Sequence, residues 1–155
     1  MKIYTLRTAQ KLPINIDSAW SFFSNPANLH LITPKYLDMK FSSDLPSEIY
    51  PDLLITYSVR PILGLPIKWV TEITYAQKPH YFLDEQCFGP YKFWRHQHHF
   101  ITIDGGVEMT DVVNYALPFW VLGRIAHGIF VQRQLLEIFK FRRDFLQRHF
   151  GLMPE

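Results

Sequence analysis

The sequence predicts an α+β fold: a seven-stranded, curved antiparallel sheet wrapped on a long C-terminal helix, with two short helices after the first strand. Three observations lead there. From Lys35 to about Leu117, strand-like runs follow one another, each closed by Gly, Pro, Asp or Asn. The links between them are short, which favours antiparallel neighbours over crossovers. Helical spacing of apolar residues occurs just after the first strand and again over the C-terminal part of the chain.

Lys2–Leu12 reads as the first strand, ended by Pro13. In "NIDSAWSFFSNPANLHLITP", Asn15 or Asp17 can cap a helix that carries Ile16, Ala19, Trp20 and Phe23 on one side. Asn25-Pro26 opens a second helical turn, and Pro34 ends the unit. Six strands are then expected: Tyr36–Phe41, Leu53–Val59, Ile67–Tyr75, Tyr81–Phe88, Lys92–Ile103 and Val107–Leu117. The final helix, Phe119–His149, gathers Leu122, Ile125, Ile129, Leu135, Leu136, Ile138, Phe139, Phe145 and Leu146 on one arc at about 100° per residue. Gly128 falls inside that arc at a cost of about 1 kcal/mol. Close approach to the sheet, or room left for a ligand, would offset it. Only this helix has the apolar surface needed to cover the inner face of the sheet.

At 155 residues the chain is expected to form one domain, residues 1–155. A domain of that size buries roughly 70% of the surface its unfolded form exposes. Apolar residues make up 48% and charged residues 19%, the balance of a globular protein. Aromatics reach 16%, an excess that suits either a core or an apolar ligand pocket. The net charge of +2, with scattered basic residues, argues against a nucleic-acid partner. The one cysteine, Cys87, excludes an internal disulfide and suits a reducing compartment. "MKIYTLRTAQ" has no apolar segment of the secretory kind. Ala116–Phe130, broken by Arg124 and His127, is too short for a membrane span. A cytoplasmic location without integral membrane association is therefore expected; the oligomeric state is not specified.

The densest local pattern is Phe93–Phe100, "FWRHQHHF". The following "DGG" predicts a two-residue hairpin turn, Asp104-Gly105 or Gly105-Gly106, and an even loop fixes the parity of the faces. On the Gly105-Gly106 register Trp94 lies opposite Leu117, His96 opposite Tyr115, His98 opposite Val113 and Phe100 opposite Asp111. This set is larger and more aromatic than its alternate. Trp94, His96, His98, Phe100 and Tyr115 are therefore assigned to the concave, helix-facing side, and His99 to solvent. Trp69, in "GLPIKWVTEI", shares a face with Ile67, Thr71 and Ile73.

Three roles suit the inward histidines. They are neutral, half-buried groups bonded to Tyr115 or a carboxylate, or polar anchors for a ligand headgroup, or metal ligands. Two histidines two residues apart on one strand face can serve zinc, but a third ligand is needed. Asp111 shares the face, and Asp84 joins it if the Phe88–Lys92 loop holds an odd number of residues. With no HExxH, no CxxC and no second histidine cluster, neither a metal nor a cofactor is expected. Asp84, Glu85 and Gln86 lead into the histidine strand. A carboxylate there that faced an aromatic cavity would be desolvated and suited to acid–base work; one at an edge, in water, would not.

Taken together, "GLPIKWVTEI", "FLDEQCFGPYKFWRHQHHF", "GGVEMTDVVNYALPF" and the basic final helix resemble the START/Bet v 1-like superfamily. Within it, the chain resembles the bacterial ligand-binding SRPBCC proteins, relatives of polyketide cyclases and dehydratases. The resemblance covers essentially the whole chain. It is carried by Gly89, Pro90, Tyr91, Trp94, His96, His98 and Phe100, followed by Asp111, Tyr115 and Pro118. It implies a helix-grip fold, a sheet wrapped on a long helix with an apolar cavity between them. Members carry lipids, sterols or hormones, cyclise polyketides, or act as regulatory modules, so the resemblance does not select a function.

The expected function is binding of a small, mostly apolar molecule such as a lipid, isoprenoid or aromatic polyketide. Trp69, Trp94, Phe100 and Tyr115 would form walls, and His96 and His98, with Asp84 or Gln86, would anchor a polar end. The alternative is a cyclase or dehydratase in which a cavity histidine moves a proton while Tyr115 polarises a carbonyl. The tail "FKFRRDFLQRHF", with Lys140, Arg142, Arg143 and Arg148, leaves room for transient membrane contact. The same cations also favour a helix C-terminus by themselves.

Overall fold

A computed structural model describes residues 1–119, 122 and 125–154. Strand β1 (Tyr4–Leu12) is followed by helix α1 (Ile16–Phe23) and two 3-10 turns, Pro26–His30 and Lys35–Leu37. Strands β2 (Lys40–Phe41), β3 (Leu54–Ile62), β4 (Leu65–Gln77), β5 (Tyr81–Phe88), β6 (Phe93–Ile103) and β7 (Gly106–Ala116) come next. A π-helical turn at His127–Val131 leads into helix α2 (Gln132–Phe150). The sheet has seven antiparallel strands in the order β1-β7-β6-β5-β4-β3-β2, so the first strand closes against the last. The α+β reading therefore holds.

The caps follow the sequence. Asn15, rather than Asp17, caps α1, its side chain accepting from the Ser18 N–H at 2.8 Å. Asn25 caps the next turn in the same way, with Pro26 in its first position. Trp20 buries its ring against Phe82 and Phe100 and satisfies its indole N–H on Glu48 Oε1 at 2.6 Å. At the far end of α2, Phe150 packs edge-on to Phe22, which ties the helix terminus to α1.

Three boundaries differ from the sequence reading, each for a local reason. Tyr36–Phe41 is not a full strand. Lys35–Leu37 turns to bury Leu37, and Asp38 adopts φ 44°, held by Lys40 and Arg60 at 3.2 and 3.1 Å, so only Lys40–Phe41 pairs. Pro61 does not end β3, because the ladder shifts register between Val59 and Ile62 and thereby accommodates it. The β6–β7 turn is Asp104-Gly105, pairing His96 with Val113 and His98 with Asp111, two residues away from the Gly105-Gly106 register. Parity, and with it the face assignment, is unchanged. Gly106 is required at the turn's exit, since a Cβ there would sit 2.1 Å from the Leu12 carbonyl oxygen.

The expected helix from Phe119 begins, as an α-helix followed without a break, at Gln132. The part of that expectation on Trp120, Val121, Gly123 and Arg124, and the surroundings of Gly128, lie outside the described residues. The core falls into two groups. One, around Trp20, Ile73, Phe82, Phe100 and Leu146, closes the α1 end of the sheet. The other joins Val113 and Tyr115 to Leu135 and Phe139 of α2. Among the described residues no helix is long and apolar enough to cross a membrane.

Candidate functional site

Between the sheet and α2 lies a hollow of about 430 Å³. Strands β3 to β6 contribute residues such as Ile55, Tyr57, Trp69, Ile73 and Trp94; α1, the 3-10 turns, the connecting loops, the segment before α2 and α2 itself contribute the others. The wall is largely apolar, with a cluster of aromatic rings on the sheet side. Tyr57 stacks on Trp69 with ring centres 5.9 Å apart, and Trp94 meets Trp69 edge-on at 5.3 Å. Tyr91 closes this group, 4.7 Å from Trp94. Such contacts hold large rings without asking for polar partners, so they build a rigid apolar surface.

A buried polar network interrupts that surface. Asp84 stands opposite His96 on β5, and Asp111 stands opposite His98 on β7, which places all four side chains on one face. His96 Nε2 and His98 Nδ1 donate to the same Asp111 oxygen, at 2.9 and 3.1 Å. His98 Nε2 donates to Asp84 Oδ2 at 2.6 Å, the length of a charge-assisted bond. The imidazole rings lie 3.8 Å apart, and Phe82 stacks under His98 at 3.9 Å.

The protonation states follow from these contacts. Burial pushes the Asp111 carboxyl up, but the donors and charges of His96 and His98 outweigh it and hold Asp111 well below the ordinary carboxylate range. Burial pulls His98 down, yet its bonds to Asp111 and Asp84 prevail, so its pKa is raised and the imidazolium is favoured. His96 goes the other way. Burial lowers it, the neighbouring His98 lowers it further, and the Asp111 bond does not restore it. The pair thus favours its proton on His98 over His96, and the Asp111 bond sets the His96 tautomer. His96 Nδ1 is 3.8 Å from Asp84 Oδ2, beyond hydrogen-bond range, and a neutral ring makes no ion pair there.

Of the two third ligands the sequence offered for a metal, Asp111 and Asp84, Asp84 is the one whose oxygen converges with both histidines. Asp84, His96 and His98 each offer a ligand atom within 4.8 Å of one another. A divalent cation there would have to displace the proton on His98 Nε2. Asp111 would then remain as outer acceptor for the far ring N–H groups.

Of the residues singled out in the sequence, Trp69, Asp84, Trp94, His96 and His98 line the hollow together. Gln86, Phe100 and Tyr115 do not border it. Gln86 turns to the loop before β6, donating to the Tyr91 carbonyl at 2.8 Å and accepting the Tyr91 N–H at 3.2 Å. Phe100 packs in the core against Trp20 and Phe82. Tyr115 is buried beside Leu135 and Phe139 and stacks on Tyr4. Glu85 faces outward to Arg95, and His99 lies half-buried against Tyr81 rather than free in solvent.

One residue of the site was read wrongly. Arg142, grouped in the sequence with a basic, solvated tail, is 8% exposed and borders the hollow. Its guanidinium lies over the Phe139 ring at 4.8 Å, and its Nε has no hydrogen-bond partner. A buried donor left unpaired costs about 1–3 kcal/mol, and a charged one more. The signal was present as spacing: Leu135, Phe139, Arg142 and Leu146 are the buried positions of α2. Two further members of the presumed basic patch are also engaged, Arg143 with the Ala9 carbonyl and Lys140 with Asp144.

No family model matches the chain, and no curated protein matches it. Solved structures do. Protein CV1439 from Chromobacterium violaceum superposes with a TM-score of 0.73 at 8% identity, over 97% of this chain and 98% of its own. Major latex-like protein 151 from Panax ginseng gives 0.67 at 12% identity, over 98% and 99%. Ara h 8.0201 gives 0.62 at 12% identity, over 95% and 99%. At these identities the likeness is one of fold, and the chain has the Bet v 1/SRPBCC fold.

Proposed function

We propose that this protein binds a small, mostly apolar molecule, of lipid, isoprenoid or aromatic polyketide type, in the hollow between the sheet and α2. The observation that carries the reading is the hollow itself. About 430 Å³ falls within the range of small-molecule sites, and its wall combines aromatic rings with a few converging polar groups. A core of this size has no reason of its own to stay unfilled, since apolar voids weaken a fold. Titration with an environment-sensitive apolar dye such as anilinonaphthalene sulfonate tests it. The native protein should take up the dye, and Val59→Trp, which places an indole into the wall, should abolish uptake while leaving the melting transition in place. Equal uptake by both proteins would contradict the proposal.

A second reading rests on His96. A neutral imidazole, its tautomer set by a buried carboxylate, sits on the wall with Nδ1 unbonded, the arrangement a general base requires. In this reading the protein is a cyclase or dehydratase. The tyrosines that border the hollow are then Tyr57 and Tyr91 rather than Tyr115. His96→Ala separates the two readings: turnover lost with affinity kept favours an enzyme, and affinity lost alone favours a carrier.

A further inference from the structure

The wall of the hollow carries a cation that, among the described residues, has no anionic partner. Arg142 lies on the buried stripe of α2 between Phe139 and Leu146, more than nine-tenths buried, and borders the space. Among the described residues no carboxylate forms a salt bridge with it, and no acceptor hydrogen-bonds its guanidinium. Arginine in such a position is normally matched, because its five donors and fixed charge cannot be shed by deprotonation. The carboxylates of the site are committed elsewhere: Asp111 to both histidines, and Asp84 to His98. A second orphan donor, the indole N–H of Trp69, belongs to the same wall. Trp69 stacks on Tyr57, so this donor lies on the Tyr57 side of the hollow.

The unmatched buried groups on this wall, Arg142 Nε and Trp69 Nε1, are therefore both donors. We infer that the hollow's ligand carries an acidic head, a carboxylate that Arg142 receives, with the apolar remainder against the aromatic wall. This rests on the ligand-binding reading above and specifies the ligand class. A planar guanidinium matches a carboxylate through two parallel N–H···O bonds. A single charge is preferred over a phosphate's near-double charge, because Arg142 is the one arginine among the described residues that borders the hollow, and Asp84 borders the same space.

The test compares decanoate with decanol, which have the same chain and differ in the head, by calorimetric titration at neutral pH. Wild-type protein is expected to bind the acid at least about tenfold more tightly than the alcohol. Arg142→Met should remove that preference by weakening the acid alone. Equal affinity for acid and alcohol in the wild type overturns the inference while leaving the binding reading intact. So does an Arg142→Met protein that weakens both to the same degree, which assigns the arginine a packing role. If neither probe binds, the binding reading fails and this inference falls with it. Should Arg142→Met not fold, the wild-type comparison decides alone.

Discussion

Replacing Asp111 by Asn removes one charge from the centre of the buried network while keeping its shape. Asp111 is 2% exposed and receives two N–H donors, at 2.9 and 3.1 Å. Taking one partner from a buried charge pair costs roughly 3–5 kcal/mol, and an asparagine that still presents an oxygen belongs at the lower end, about 3 kcal/mol. For a chain of this length that corresponds to a fall of about 6–12 °C in Tm. The loss should depend on pH, with a sign fixed by the two groups. His98 has a raised pKa, so its contribution is complete below its ordinary value of 6.5 and is lost as pH rises through the raised one. Asp111 has a lowered pKa, so its contribution is present above the ordinary 3.8 and is lost as pH falls through the lowered one. Without Asp111 the proton affinity of His96 falls further, which enlarges the difference on acidification. Urea unfolding of both proteins at about pH 5.5 and about pH 9 should show the larger gap at the lower pH. A gap below about 1 kcal/mol, or one equal at both values, would refute the charged-histidine assignment.

Two other substitutions test the frame that positions the site. Gly106→Ala would put a methyl group 2.1 Å from the Leu12 carbonyl oxygen and force β1 and β7 apart at their paired ends; a loss of about 2 kcal/mol or more is expected by chemical denaturation. Phe139→Ala removes the ring that packs under the Arg142 guanidinium and beside His96, at a cost of about 3 kcal/mol, and should enlarge the hollow enough to raise its capacity for a longer apolar probe.

How far the sequence reached depended on the kind of signal. Face parity on β6 survived an uncertain turn, because both two-residue turns leave His96 and His98 on the same side. Pairing partners did not survive it: the register moved by two, bringing Asp111 opposite His98 instead of Phe100. Asp84 was reachable only through a loop whose length the sequence left open. Gln86 and Tyr115 were legible as residue types but not as contacts, since one turns back onto the loop backbone and the other sinks beside Leu135. Arg142 was missed because a charged residue is ordinarily read as solvated, even when its spacing from Leu135, Phe139 and Leu146 places it on the buried stripe. Lys35–Asp38 was missed because a single left-handed residue decides whether that segment extends or curls.

The central claim is that the space between the sheet and α2 is occupied by an apolar guest. Native mass spectrometry of protein purified without detergent tests it most directly, with decanoate added when no compound co-purifies. A one-to-one complex that Val59→Trp does not form is the predicted result. A spectrum of bare protein throughout, at millimolar decanoate, would contradict it.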